Sequence, residues 1–448
     1  MRRAWTLAIT VMLATLASPA TRALDTDRGL RQFHHTAWTR AQGAPSQISA
    51  IAQTRDGFLW VGSTQGLYWF DGMRFQRFEP ANDVQVPSHN SYALHATSDG
   101  GLWVSFRPSG LGFIRDGRLT VYTQPDQIPK TQVYSFATSH DGRLFAGTHE
   151  GIAQWDGMRW ASLDASWGVP NDRVRQLTAV QRGLVAVVGR EVLLLPPGAV
   201  RFTKLADVPC EPVEMVADAR ATVWVSCEGG MLRVPANGPP VFERAATKPP
   251  YVEILFDRDG ALWLGNDFGL YRVRDPAHAT AASIETADTF TDEDGLTSDN
   301  VIHMFEDREG NVWVATSRGL DRFRSNPVVP VALPEAYVSN TLAAGDEGAV
   351  WVAGMFTAPL VRVDAAHRAG ARTPFVEASQ PVQARSTVRT RDGTTWWGGY
   401  GVLYRQHGDR VDVVQGPPEI ATSWIWDLSP APDGHGLWAG IDDVGVWQ

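Results

Sequence analysis

The amino-acid sequence predicts an all-β protein built from repeated small antiparallel sheets. Three observations support this prediction: one short motif recurs ten times, most copies begin at an Asp-Gly or related turn, and Gly or Pro interrupts nearly every window long enough for a helix. The 448 residues include 18 Trp and 42 Gly. Large rings beside flexible backbone are typical of many similar sheets that pack together and are joined by tight turns.

The motif is clearest in DGFLWVGSTQGLYWF, which starts at Asp56. Each copy is marked by a shared aromatic residue or its replacement, and successive markers are 38 to 50 residues apart. The markers are Trp60, Trp103, Phe145, Ala186, Trp224, Trp263, Trp313, Trp351, Trp396 and Trp438. A spacing of about 42 residues suits one four-stranded propeller blade, and it overlaps with helical repeats of the armadillo kind.

The content of each copy favours the propeller blade. In the first copy a hydrophobic strand, Ile48 to Thr54, precedes an Asp-Gly turn and further β-rich runs. Asp-Gly between such runs predicts a hairpin whose two turn residues both tolerate positive φ. Helical repeats would need uninterrupted 3.6-residue periodicity, which the frequent Gly and Pro residues prevent.

The marker aromatics are interpreted as packing between blades and not as cofactor contacts. A blade packs both faces against neighbours, so its middle strands read as continuous apolar runs. Small residues that follow the markers are expected to let the next backbone approach closely. These small residues are Gly62, Ser105, Gly147, Gly265, Ala315 and Gly354.

The copies predict a seven-bladed propeller over residues 24–327. Seven markers fall between Trp60 and Trp313, and the seventh copy lacks a fourth strand of its own. A strand without a copy, Arg31 to Trp38, precedes the first complete unit. We expect this N-terminal strand to complete blade seven, because closure removes the exposed edge of an open ring.

Copies eight to ten predict an incomplete second propeller of about three blades over residues 328–448. Val328 to Leu333 is the strand expected to close it. Since three blades cannot close a ring, we expect the sequence to be shorter than the architecture it encodes: a truncated gene, a fragment, or a half completed by a partner. The alternative is one irregular ring of nine to ten blades, which would be unusual.

The N-terminus predicts export. Arg2 and Arg3 precede an apolar run from Ala4 to Ala17 and then small residues, which is the layout of a secretory signal peptide over residues 1–23. The alternative is an uncleaved anchor, although the run is shorter than the roughly 20 residues that span a bilayer. We therefore predict a periplasmic or secreted protein with no membrane span beyond the signal peptide.

The net charge of the chain indicates which classes of partner to expect. The net charge is −9, and loss of residues 1–23, with three Arg and no acid, leaves −12. Such an acidic surface repels phosphate backbones, so no nucleic-acid partner is expected.

Cys210 and Cys227 flank a predicted hairpin that turns near Arg220. They form either a disulfide or two buried free thiols.

Two segments resemble the two-component regulator propeller repeat: DGFLWVGSTQGLYWFDG (Asp56 to Gly72) and GLTSDNVIHMFEDREGNVWVATSRGLDRF (Gly295 to Phe323). The resemblance extends over roughly residues 30 to 448. It implies the periplasmic sensing region of bacterial sensor histidine kinases and hybrid two-component regulators, where two seven-bladed rings precede a β-sandwich, a membrane helix and a signalling domain. None of these later parts is recognisable in the sequence, so kinase activity is expected only of a full-length relative.

No catalytic, cofactor-binding or metal-binding residues are predicted. The 11 His are scattered, and His34 and His35 point to opposite faces of one strand. The best candidate surface is the mouth of the central channel, where residues just before each innermost strand gather. These residues are Gln47, Asn90, Gln132, Arg173, Glu211, Pro250 and Asn300. Polar side chains at six of the seven suit a small polar ligand such as a carbohydrate; the alternative is that they cap the entering loops.

Two functions therefore compete. The favoured one is a non-catalytic sensing module of a two-component system that binds a ligand or another propeller. The other is a secreted propeller enzyme, a lyase or glycan hydrolase, with a site at the channel mouth. A His or carboxylate pair with displaced pKa values at the mouth would favour the enzyme, whereas amides and aromatics would favour the sensor.

Overall fold

A computed structural model describes residues 24, 28–108, 110–123, 129, 131–227, 229–244, 253–276, 287–326, 333, 339–356, 359–363, 375–432 and 436–448. Within these residues the elements are β-strands and three-residue 3-10 helices, without an α-helix. The all-β prediction is therefore confirmed. The chain divides into two compact units, one with Phe33–Ser325 and the other with Asn326–Gln448 and the short segment Asp27–Gln32.

The first unit has seven four-stranded antiparallel sheets among its described residues. Sheets 1 to 6 each use four strands that are consecutive in sequence. Sheet 1 has β2 (Ile48–Gln53), β3 (Leu59–Ser63), β4 (Gly66–Phe70) and β5 (Phe75–Arg77); sheet 2 has β6 (Ser91–Ala96), β7 (Leu102–Phe106), β8 (Leu111–Arg115) and β9 (Arg118–Tyr122). Sheet 3 has β10 (Val133–Thr138), β11 (Leu144–Thr148), β12 (Gly151–Trp155) and β13 (Trp160–Ser162); sheet 4 has β14 (Val174–Val180), β15 (Gly183–Val188), β16 (Glu191–Leu195) and β17 (Thr203–Asp207). Sheet 5 has β18 (Pro212–Ala217), β19 (Val223–Cys227), β20 (Gly230–Val234) and β21 (Val241–Arg244); sheet 6 has β22 (Glu253–Phe256), β23 (Leu262–Asn266), β24 (Gly269–Val273) and β25 (Asp288–Phe290).

Sheet 7 joins the two ends of the first unit. It contains β26 (Val301–Glu306), β27 (Val312–Thr316), β28 (Gly319–Arg324) and the N-terminal strand β1 (His34–Thr39). β1 runs antiparallel to β28, with Trp38 opposite Leu320. The predicted pairing of the N-terminal strand is present, although the strand begins later than Arg31 because Leu30–Gln32 forms a 3-10 helix.

The first strands of the seven sheets follow one another around a common axis. Each of β2, β6, β10, β14, β18, β22 and β26 contacts the next, and β26 contacts β2. The predicted close approach after the markers is visible at Gly147, where a Cβ would lie 2.8 Å from the backbone oxygen of Val174 in the next sheet. A larger residue at this position would push the two sheets apart.

The junction of sheets 7 and 1 is closed by aromatic packing and by one arginine. The Trp38 ring stacks on Trp313 at 5.5 Å between centroids and meets Phe70 edge-on at 5.1 Å. Arg308 lies in the turn after β26 of sheet 7. Its backbone N–H donates to the Gln53 side-chain oxygen at 2.8 Å, and its guanidinium donates to the backbone oxygens of Thr54 (2.9 Å) and Arg55 (3.1 Å). These contacts attach the last sheet of the unit to its first.

The Asp56-Gly57 turn of sheet 1 differs from the predicted type. Gly57 has φ +96°, whereas Asp56 is not among the residues with positive φ. The Gly57 N–H donates to the Thr54 oxygen at 3.0 Å, and the Thr54 N–H donates to the Phe58 oxygen at 3.1 Å. The expectation that both turn residues take positive φ is therefore wrong for Asp56-Gly57, where a three-residue loop places only the glycine in the left-handed region. It holds for Asp116-Gly117 between β8 and β9, with φ +51° and +72°.

Several marker tryptophans are held by a carboxylate six residues earlier in the chain. The indole N–H of Trp263 donates to Asp257 Oδ2 at 2.8 Å, and that of Trp313 donates to Asp307 Oδ2 at 2.8 Å. Asp257 also accepts the backbone N–H of Ala261 at 2.8 Å, so it fixes the turn as well. These markers are buried and structural. Trp438 departs from the interpretation, because it is 39% exposed.

The second unit has two four-stranded sheets and one three-stranded sheet among its described residues. Sheet 8 has β29 (Thr341–Ala344), β30 (Val350–Ala353), β31 (Pro359–Val363) and β32 (Phe375–Pro381); sheet 9 has β33 (Ser386–Arg389), β34 (Thr395–Gly398), β35 (Val402–His407) and β36 (Arg410–Gln415); sheet 10 has β37 (Ile425–Pro430), β38 (Leu437–Ile441) and β39 (Gly445–Trp447). β33 contacts both β29 and β37, as the first strands do in the first unit. The closing strand expected at Val328 to Leu333 falls, except for Leu333, outside the described residues.

Two further sequence predictions meet the structure only in part. Residues 1–23 lie outside the described residues, and none of the helices that the structure describes is long and apolar enough to cross a bilayer. Cys210 and Cys227 are joined by a disulfide with 5.7 Å between their Cα atoms. The bond ties the segment before β18 to the end of β19.

Candidate functional site

The predicted mouth residues gather at one end of the axis of the first unit. Gln47, Asn90, Gln132, Arg173, Glu211 and Asn300 each directly precede the first strand of a sheet. Since these first strands surround the axis, the six residues lie at the same end of it. Pro250, the seventh predicted residue, lies outside the described residues.

Hydrogen bonds at the sheet ends use the backbone of two of these residues and the side chain of a third. The backbone oxygen of Asn90 accepts from the Arg107 N–H at 2.9 Å, and that of Asn300 accepts from the Ser317 N–H at 3.0 Å. The side-chain amide of Gln132 donates to Ser105 Oγ at 3.2 Å and to the Val133 oxygen at 2.7 Å. Because the Gln132 nitrogen is used in this way, only its side-chain oxygen is directed to other partners.

A β-bulge near the start of the first strands brings further residues to the mouth. The pairing register with the second strand shifts by one residue in sheets 1 to 5 and in sheet 7. The unpaired residues are Ser49, Tyr92, Tyr134, Arg175, Val213 and Ile302. A bulge redirects the side chain of the extra residue, so these positions are added to the predicted set.

One of these residues, Tyr134, lines a cleft between sheets 2 and 3, and Tyr92 lies beside it. The rings of Tyr92 and Tyr134 meet edge-on with 6.0 Å between centroids. The guanidinium carbon of Arg107 lies 3.6 Å from the centroid of the Tyr92 ring, and Tyr134 Oη lies 3.4 Å from His149 Nδ1. We name this surface the Tyr134 cleft, a shallow concavity of about 490 Å³. It is lined by Asn90, Arg107, Pro108, Gln132 and Tyr134.

Ionisable groups occupy equivalent positions on the first strands of sheets 5 to 7. Glu214 on β18, Glu253 on β22 and His303 on β26 are opposite Ser226, Gly265 and Ala315 of their respective second strands. His303 Nδ1 lies 3.5 Å from Glu253 Oε2. We name these three residues the axial acid cluster. The sequence contained no spacing signal for it, because its members lie on three different sheets.

Burial raises the pKa of Glu214 well above that of an ordinary carboxyl group, and the negative charge of Glu253 raises it further. A hydrogen bond from Gln176 and the charge of Arg175 act in the opposite direction. Glu214 therefore retains its proton to higher pH than an exposed glutamate. A protonated carboxyl beside a carboxylate and an imidazole is one arrangement that supports acid–base chemistry.

A second cavity, of about 970 Å³, lies on the side of the Asp-Gly turns. Its lining includes His95, Asp99, Arg115 and Arg308. His95 Nε2 lies 2.8 Å from Thr138 Oγ1, and burial lowers the pKa of His95 to about 4. The ring is therefore neutral at physiological pH. Within the part of the chain that the structure describes, no group of three or more His, Cys, Asp or Glu residues is arranged to hold a metal ion.

Comparison with protein families identified a match to the family described as two component regulator propeller, over residues 42–65 and 295–318. The matched segments contain β2 and β3 of sheet 1 and β26 and β27 of sheet 7, which are adjacent sheets. In both segments a glycine in the left-handed region, Gly43 or Gly295, ends a 3-10 helix before the first strand. A comparison with curated protein sequences found no match.

Solved structures of similar fold include two from B. thetaiotaomicron. The extracellular domain of a proposed hybrid two-component system, BT3049, is 16% identical with a TM-score of 0.64, over 93% of this chain and 59% of that one. The extracellular domain of BT4673, described as a proposed one-component or hybrid two-component system, is 18% identical with a TM-score of 0.55, over 93% and 58%. The chain thus spans less than two thirds of these proteins.

A streptogramin B lyase also has a similar fold. It is 14% identical with a TM-score of 0.53, and the match covers 67% of this chain and all of the lyase. At such identities the likeness concerns the fold alone. The function must therefore be argued from the site.

Proposed function

We propose that this chain, which carries two-component regulator propeller repeats at residues 42–65 and 295–318, is the non-catalytic ligand-sensing module of a two-component signalling system. It acts in the periplasm or outside the cell, after removal of residues 1–23. The likeness to extracellular domains of proposed two-component systems supports this proposal. Any kinase output belongs to a longer protein or to a partner.

The architecture we propose is a seven-bladed propeller over residues 24–327, followed by an incomplete second propeller over residues 328–448. Seven four-stranded sheets whose first strands contact in a cycle support the first part. Three sheets in the same succession support the second. We also propose that the second unit associates with another propeller. Analytical ultracentrifugation of the purified chain tests this, and a monomer contradicts it.

The observation that carries the sensing function is the Tyr134 cleft. Tyr134, Asn90, Gln132 and Arg107 line one concavity at the end of the axis, and the Arg107 guanidinium lies over the Tyr92 ring. Aromatic faces and amides suit a small polar ligand with an apolar side, such as a carbohydrate. No reacting group needs to be supplied by the protein for such binding.

Binding to an array of soluble mono- and oligosaccharides tests the sensing function. The purified chain without residues 1–23 is screened by thermal shift, and hits are titrated by calorimetry. We expect at least one saccharide to bind, and Tyr134→Ala to weaken it by tenfold or more, since loss of an aromatic contact in a small-ligand site costs about 1.4 kcal/mol or more. Tyr271→Phe on sheet 6 is the control, with no change expected. Absence of binding, or equal binding by Tyr134→Ala, contradicts the proposal.

The axial acid cluster supports a second candidate function, a lyase or glycan hydrolase. Glu214 with its raised pKa, Glu253 and His303 are the acid–base groups such an enzyme would use. The test is product release from the saccharides that bind, followed by chromatography. Turnover that Glu214→Gln abolishes while binding remains would establish the enzyme; binding without turnover supports the sensor.

A further inference from the structure

Arg107 is held in a defined orientation at the edge of the Tyr134 cleft. Its guanidinium lies 3.6 Å from the centre of the Tyr92 ring, and its backbone N–H donates to the Asn90 oxygen at 2.9 Å. An arginine stacked on an aromatic face loses little further conformational freedom when it binds a ligand. The side chain is therefore pre-organised.

Arg107 is also without an acidic partner among the residues that the structure describes. Some arginines of the first unit are paired with carboxylates, for example Arg143 with Asp141 at 2.7 Å and Arg258 with Glu306 at 2.6 Å. In a chain with a net charge of −9, an oriented guanidinium without a carboxylate leaves a fork of donors available at the mouth. Such a fork matches a planar carboxylate through two parallel hydrogen bonds.

The other groups of the cleft suit hydroxyls. The side-chain oxygen of Gln132 accepts, because its nitrogen donates to Ser105 and Val133. Tyr134 Oη, 3.4 Å from His149 Nδ1, both donates and accepts, and the Asn90 amide does the same. The Tyr134 ring can cover the apolar face of a flat ligand. A carboxylate next to several hydroxyls on a ring is the chemistry of a sugar acid.

We infer that the Tyr134 cleft binds a sugar acid of the uronate class, whose carboxylate pairs with Arg107 and whose hydroxyls bond to Gln132, Tyr134 and Asn90. The inference rests on the proposed function, since it names the ligand class of the same mouth. It makes Arg107 the residue that separates acidic from neutral saccharides.

The experiment titrates the chain with D-glucuronate, D-galacturonate and their neutral counterparts D-glucose and D-galactose, by calorimetry at low salt. We expect at least one uronate to bind at least tenfold more tightly than its neutral counterpart. Arg107→Gln should weaken uronate binding by about tenfold to a hundredfold, as expected for loss of a charge-assisted pair. Arg107→Lys should lie in between, because it keeps the charge without the fork.

Arg318→Gln is the matched control. Arg318 is exposed and lies on the equivalent turn of sheet 7, between β27 and β28. Its replacement by glutamine removes the same charge from the same end of the axis. It should leave uronate binding within twofold. Thermal melting of each variant checks that the fold is retained.

The outcomes separate the inference from the proposed function. A neutral saccharide that binds as tightly as its uronate, with Arg107→Gln unchanged, overturns the inference and leaves the sensing function standing. Equal losses in Arg107→Gln and Arg318→Gln also overturn it, because they indicate general attraction at the mouth. If no uronate binds the folded chain, the inference is wrong, and the saccharide array decides the sensing function independently.

Discussion

Replacement of Trp38 by alanine tests how the first unit is held closed. Trp38 is 8% exposed, stacks on Trp313 of sheet 7 and meets Phe70 of sheet 1 edge-on. The Arg322 guanidinium carbon lies 5.2 Å from its ring. The indole therefore belongs to the core shared by the sheets at the two ends of the first unit.

The expected loss follows from the buried area. A tryptophan side chain buries about 200 Å², which at about 25 cal/mol per Å² corresponds to about 5 kcal/mol. Replacing a buried Phe or Trp by alanine typically lowers the free energy of unfolding by about 3–5 kcal/mol. We therefore expect Trp38→Ala to lower the free energy of unfolding of the first unit by about 3–5 kcal/mol, and its Tm by roughly 10 °C.

Urea unfolding followed by far-ultraviolet circular dichroism measures this difference. Trp438→Ala is the matched control, because Trp438 is 39% exposed and lies in the second unit; its loss should stay below about 1 kcal/mol. A Trp38→Ala loss below about 1 kcal/mol, or equal to that of the control, would refute the reasoning that the N-terminal strand holds the unit closed.

Three further changes test other parts of the first unit. Arg308→Ala should destabilise it by about 2–3 kcal/mol, because it removes the hydrogen bonds that the guanidinium donates to Gln53, Thr54 and Arg55 of sheet 1. Arg55→Ala, at the equivalent turn position of sheet 1, should change stability little; equal denaturation midpoints for the two variants would contradict this. Burial lowers the pKa of His95 to about 4 from its usual 6.5. Between these two pH values the unfolded chain therefore binds more protons than the folded one. The free energy of unfolding is highest above pH 6.5 and falls as the pH drops towards 4. His95→Gln should flatten that decline, by up to about 3 kcal/mol, and melting at pH 4.5 and 7.5 checks it. The raised pKa of Glu214 has the opposite effect on stability, because the folded chain holds the extra proton and loses stability as the pH rises above the usual carboxyl range. Glu214→Gln should therefore raise the Tm more at pH 8 than at pH 5. An equal rise at both pH values would argue against this.

The sequence alone predicted the repeating sheets and the strand that joins their ends. Both depend on local signals: the Asp-Gly turn, the continuous apolar strand and the marker aromatic recur within each copy. The pairing of His34–Thr39 with Gly319–Arg324 followed from counting strands, because one copy lacked a strand and one strand lacked a copy. The turn type was wrong for Asp56-Gly57, since a three-residue loop that ends in a left-handed glycine uses the same residue pair as a two-residue turn.

The candidate site was predicted only in outline. Asn90 and Gln132 were found because position before a strand is a property of the sequence. Tyr92 and Tyr134 were missed because a β-bulge depends on pairing with the next strand. The bulge decides the direction of the side chain at the second residue of β6 and of β10.

The sequence by itself therefore determined which elements form, because hairpin turns and apolar periodicity act over a few residues. The tertiary structure alone decided which side chains meet. Arg107 reaches Tyr92 within one sheet, and Glu214, Glu253 and His303 converge from three sheets although they are 39 and 50 residues apart in the chain. Such contacts depend on how sheets pack around the axis, which no local pattern records.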